Sequence, residues 1–136
     1  MNAPGTKADE GYRGDLNAAD FLTGKSILLV EDEFLLALQL EELVQSHGAT
    51  VVGPYRSLQD ALQAAQREDF DFAILDINLG GTMVYPLADH LLARGVPFLF
   101  LTGYSHANLP EQFRGVTRLN KPSDPAQLIA ALGARL

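Results

Sequence analysis

Short runs of apolar residues recur along this chain, and each stops at a polar side chain. Ile27-Leu28-Leu29-Val30 runs into Glu31 and Asp32, and Phe72-Ala73-Ile74-Leu75 into Asp76. Phe98-Leu99-Phe100-Leu101 runs into Thr102, and Val116 to Leu119 leads through Asn120 to Lys121-Pro122. Unbroken apolar runs of this length suit strands covered on both faces, as in a parallel sheet. Longer stretches with helical spacing separate them. Regular strand–helix alternation points to an α/β domain with crossover helices, and right-handed crossovers leave few arrangements.

The expected fold is a five-stranded doubly wound parallel sheet in the flavodoxin-like order 2-1-3-4-5. Its strands fall at about 26–30, 50–52, 71–76, 97–102 and 116–120. The first helix spans about 33–47, with Phe34, Leu35, Leu38 and Leu43 as its apolar face and Gly48 as its stop. Ser57 with Asp60 opens the second helix as a capping box. The third covers about 84–94, with Pro86 in its first turn and Gly95 at its end. A short fourth helix falls within 106–114, limited by Pro110 and Gly115. Asp124 and Pro125 open the last helix. Residues 1–24 lack any sustained period and are expected to form a flexible arm, with a single docking turn at Ala18-Ala19-Asp20-Phe21-Leu22 as the alternative, leaving 25–136 as the domain.

In that order strand one lies beside strand three, so Asp32 and Asp76 become neighbours where strand order reverses. Open α/β sheets build their sites in that crevice. Carboxylates crowded at one edge repel unless protons or a cation relieve them. Magnesium suits such a set, because it takes oxygen ligands and bridges carboxylate to phosphate. A carboxylate can also attack phosphorus and form an acyl phosphate, a transfer that depends on positioning and on neutralised phosphoryl oxygens. Lys121 supplies a point charge, Thr102 a hydroxyl, and Gly103 leaves room.

The set Val30-Glu31-Asp32-Glu33, Leu75-Asp76, Leu101-Thr102-Gly103 and Asn120-Lys121-Pro122 closely resembles the receiver domain of two-component response regulators. The stretch Pro97 to Tyr104 is similar to a single-domain bacterial subgroup with a Phe-Ala-Thr-Gly motif, with Leu101 replacing its Ala. The resemblance implies Asp76 as phosphoacceptor. It implies a Mg2+ site of Glu31, Asp32, Asp76 and the Asn78 backbone carbonyl, phosphoryl contacts from Thr102 and Lys121, and a cis Lys121-Pro122 bond. It also implies a histidine kinase or phosphotransfer protein as donor and a protein partner downstream. Receivers carry an aromatic switch residue where this chain has Arg118. Tyr104, two residues after Thr102, is the nearest substitute, and the resemblance implies that the positions of Tyr104 and Asn78 flank the path of attacking water.

Other classes fit less well. A formal net charge of −7 without a Lys/Arg cluster argues against nucleic acid. The chain has no cysteine for thiolate metal sites. No apolar run approaches the roughly 20 residues of a membrane helix, and the first residues lack a secretory pattern, so a cytoplasmic protein is expected. Gly24-Lys25-Ser26 precedes a strand, whereas a phosphate-binding loop follows one. His47, His90 and His106 lack metal-ligand spacing. A phosphatase passing through an aspartyl phosphate needs a second acid where Asn78 stands, so no enzyme is expected. The rival is a receiver fold used only as an unphosphorylated binding module. With nothing expected beyond the fifth helix, the expected output is a protein contact, onward phosphotransfer, or drainage of phosphate from a shared kinase.

Overall fold

The computed structural model describes residues 21–103 and 108–135. The strands are β1 (Ser26–Val30), β2 (Thr50–Tyr55), β3 (Phe72–Asp76), β4 (Asn78–Leu79), β5 (Thr82–Met83), β6 (Phe98–Thr102) and β7 (Arg118–Asn120). The α-helices are α1 (Phe34–Ser46), α2 (Leu58–Arg67), α3 (Tyr85–Arg94) and α4 (Pro125–Arg135). The main sheet is parallel, in the order β2-β1-β3-β6-β7. This is the expected 2-1-3-4-5 order, because β4 and β5 form a separate antiparallel ribbon.

Alternation along the strands divides the core in two. Leu28, Val30, Ala73, Leu75, Phe98 and Phe100 pack with Ala61 and Ala65 of α2 and Leu87 and Leu91 of α3. Ile27, Leu29, Phe72, Ile74, Leu99 and Leu101 face the other way, toward Leu40 and Val44 of α1 and Leu128 and Leu132 of α4. Every residue of β3 and β6 is buried, so helices cover both faces.

The helix ends follow local chemistry. The Ser57 hydroxyl accepts from the Asp60 N–H at 3.2 Å and caps α2. Gly95 ends α3 in the left-handed region at φ 73°. The apolar face expected for α1 is corrected: Ala37, Leu40 and Val44 are buried, while Phe34, Leu35 and Leu38 are exposed. Apolar residues occupy more than one side of this helix. Its inward stripe is the i, i+3, i+7 set beginning at Ala37, and Leu43 packs only at its margin.

Three further expectations are adjusted. Strand β2 continues to Tyr55 through Gly53 and Pro54. It is an edge strand with a register shift, where proline is tolerated. The fourth helix is, among the described residues, a single 3-10 turn at Glu111–Phe113 that buries Phe113. Phe21–Gly24, assigned to the arm from sequence, lie against the domain. Leu22 is 0% exposed, and the Gly24 N–H donates to the Gly48 carbonyl at 3.0 Å. Residues 1–20 lie outside the described part of the chain.

Gly53 holds a close approach between β1 and β2. A Cβ added there, at φ +109°, would lie 2.8 Å from the Tyr55 nitrogen and 2.9 Å from the Leu29 oxygen. Both obstacles are backbone. Gly53→Ala is therefore expected to cost about 2 kcal/mol of stability. A shift of the urea midpoint at unchanged slope would register it, and an unshifted midpoint would contradict the packing.

Candidate functional site

The carboxyl edge of the sheet gathers the polar residues that end its strands. Asp76 is the last residue of β3 and Thr102 the last of β6, and each is 2% exposed. Glu31 and Asp32 follow β1, where the Glu31 N–H donates to the Tyr55 carbonyl at 2.9 Å. Lys121 follows β7, and its N–H donates to the Thr102 carbonyl at 2.8 Å. The lysine's position is thus tied to the β6 end by backbone. The bond from Lys121 to Pro122 is cis, as the resemblance implies.

Lys121 is the cationic centre of the site. Its Nζ lies 3.2 Å from Glu31 Oε2, 3.1 Å from Asp76 Oδ2 and 3.1 Å from Glu33 Oε1. Burial disfavours the ammonium, yet the hydrogen bond and charge of Asp76, with Glu33 and Glu31, hold its pKa above the ordinary lysine value. Asp76 is pushed up to about 7, first by burial, then by the Glu31 charge and a hydrogen bond with Asp32, against the pull of Lys121. Burial also raises Glu31, opposed by the Glu33 N–H and by Lys121. One ammonium therefore does not balance the carboxylates around it.

Oxygens of Glu31, Asp32 and Asp76 all lie within 4.8 Å of one another. Glu31 Oε1 is buried without a hydrogen-bond partner, a costly state for a carboxylate oxygen. Hard oxygen donors, excess negative charge and an unpartnered buried oxygen fit a divalent cation such as Mg2+. Asp32 and Asp76 line an adjacent cavity of about 610 Å³, together with Thr102, Gly103 and Lys121.

The loop after Asp76 is shaped by the β4–β5 ribbon. The Asn78 N–H donates to Asp76 Oδ1 at 3.3 Å, and Asn78 Oδ1 accepts from the Gly81 N–H at 2.6 Å. Arg118 is exposed on β7. Tyr104 lies outside the described residues. Sequence reasoning missed the partnership of Glu33 with Lys121. The acidic run Glu31-Asp32-Glu33 was its only signal, and the lysine is far along the chain.

Residues 27–133 match the family model described as the response regulator receiver domain. The chain belongs to that family. This receiver is 34% identical over 128 residues to the phyllosphere-induced regulator PhyR of Methylorubrum extorquens, with 88% of the chain and 45% of that protein covered. It is 27% identical over 123 residues to the transcriptional regulatory protein PdtaR of Mycobacterium tuberculosis, covering 88% of the chain and 60% of PdtaR. The chain thus spans about half the length of these curated relatives. Among solved structures, SdrG from Sphingomonas melonis Fr1 is 38% identical with a TM-score of 0.73, over 82% of this receiver and 95% of SdrG. The BeF3-activated conformation of SdrG, from Pseudomonas melonis Fr1, aligns at 39% identity and a TM-score of 0.67, over 79% and 94% of the two chains. Receiver regulators act in two-component signalling. No described helix is long and apolar enough to cross a membrane.

Proposed function

We propose that this receiver, whose folded unit includes Phe21–Gly24, accepts a phosphoryl group on Asp76 and signals through protein contacts. One observation carries the proposal: a buried carboxylate, Asp76, with a lysine 3.1 Å away, in one cluster with the oxygens of Glu31 and Asp32 that could hold a metal ion. The donor is a phosphohistidine of a kinase or phosphotransfer protein. An Asp76 oxygen bonds to phosphorus, the phosphorus–nitrogen bond breaks, and the imidazole leaves with the electron pair. Lys121 neutralises phosphoryl oxygens, and Thr102 donates its hydroxyl to one of them. Glu31, Asp32, Asp76 and the Asn78 carbonyl hold Mg2+, which screens charge on the phosphoryl group when bound. SdrG, a relative, has a BeF3-activated conformation, the behaviour proposed for this chain. The exposed Phe34, Leu35 and Leu38 of α1 begin beside Glu33 and offer the donor an apolar landing. With Arg118 in place of the switch aromatic, Tyr104 is the residue proposed to respond with Thr102.

The test is intact mass after incubation with acetyl phosphate and Mg2+, alongside Asp76→Asn. A single phosphoryl adduct is expected in the wild type, lost with chelator and lost in the variant. An adduct that survives in Asp76→Asn would move the acceptor elsewhere. No adduct, and no NMR response to beryllofluoride at Thr102 or Lys121, would support the unphosphorylated binding module.

A further inference from the structure

The ion pair between Lys121 and Glu33 has no part in the transfer just described. Glu33 is the N-cap residue of α1, yet its side chain makes no capping hydrogen bond. Its carboxylate lies instead 3.1 Å from Lys121 Nζ, with the side chain 60% exposed. The pair also stands between two hollows. Glu33 and Lys121 border both the acidic cavity and a groove lined by Leu35, Leu36 and Gln39.

We propose that Glu33 is a charge gate on the phosphoryl slot: it occupies the ammonium an incoming phosphoryl group needs, and so selects against small, strongly anionic donors. The inference rests on Asp76 being the acceptor. With acetyl phosphate, an Asp76 oxygen bonds to phosphorus, the bond from phosphorus to the acetyl oxygen breaks, and acetate leaves with the electron pair. Lys121 must turn from Glu33 toward the phosphoryl oxygens as this happens. Glu33 then faces a highly charged group with its own partner withdrawn. A donor borne on a protein surface can bring a cation to Glu33, whereas acetyl phosphate brings only negative charge. Because Glu33 is exposed, the penalty is that of a surface ion pair, about fivefold in rate.

The experiment uses the full chain and Glu33→Gln, each at saturating Mg2+. Adduct formation is timed by intact mass with acetyl phosphate and with the less anionic phosphoramidate, at low salt and at about 1 M salt, where exposed charges are screened. The glutamine variant is expected to react about fivefold faster with acetyl phosphate at low salt, less so with phosphoramidate, and the gap is expected to close at high salt. Equal or slower rates in the variant, or a gain that ignores both donor charge and salt, would overturn the gate and leave Asp76 as acceptor. Absence of any adduct in both proteins would overturn the acceptor assignment and the gate together.

Discussion

Replacing Lys121 with alanine is expected to destabilise the metal-free protein by about 3 kcal/mol at about pH 8. The ammonium lies within 3.2 Å of Glu31 and Asp76, which are 0% and 3% exposed at their side chains. Its removal leaves both carboxylates desolvated without a counter-charge, the costliest way to break a buried pair. The carboxylates can escape by taking up protons, so the loss is expected to shrink below about pH 6. Saturating Mg2+ is expected to restore part of it, because the oxygen cluster remains. Urea unfolding in chelator at both pH values, then with Mg2+, checks this. A loss independent of pH and of Mg2+ would assign Lys121 a packing role rather than an electrostatic one.

The second large effect is a stability that falls as pH rises. Burial, and then the Glu31 charge, push Asp76 up to about 7 in the folded chain from an ordinary value of 3.8. Between those values the folded state binds the proton more tightly than the unfolded state, so raising the pH removes stability. The contribution is whole below about pH 4 and gone above about pH 7, with a span of roughly 2–4 kcal/mol. Glu31 is raised in the same sense, while the raised Lys121 matters only at alkaline pH. Asp76→Asn is expected to gain about 2 kcal/mol at about pH 8 in chelator and to flatten the profile. Mg2+ should narrow the gap, since it stabilises the wild type more. A variant no more stable than wild type at that pH would mean that Asp76 is comfortably ionised in the fold.

The strand ends were the legible part of this chain. Val30, Leu75 and Leu101 each finish an apolar run just before a polar residue, and burial on both faces of β3 and β6 leaves that pattern little freedom. Their convergence on one edge followed from the parallel direction of the strands, which is why Glu31, Asp32, Asp76, Thr102 and Lys121 could be grouped from the sequence. The face of α1 could not be read the same way. Phe34, Leu35 and Leu38 are as apolar as Leu40 and Val44, and tertiary packing alone chose between the stripes. Gly53 and Pro54 look like a strand end locally, yet edge position carries β2 past them. The β4–β5 ribbon has two residues per strand, too few to leave a period. The Lys121–Glu33 pair depends on side-chain reach across a crevice, which strand patterns do not encode.

The opposite edge of the sheet carries none of this chemistry. There, Gly95 to Pro97 join α3 to β6, and Gly95 has open space where a side chain would begin. That corner is separated from Asp76 by the length of β6. It is the natural place for a reporter: a fluorophore at the exposed Ala93, just before the Gly95 cap, would travel with the domain without touching its acidic crevice. A chain whose working groups crowd one rim can be read out from the other.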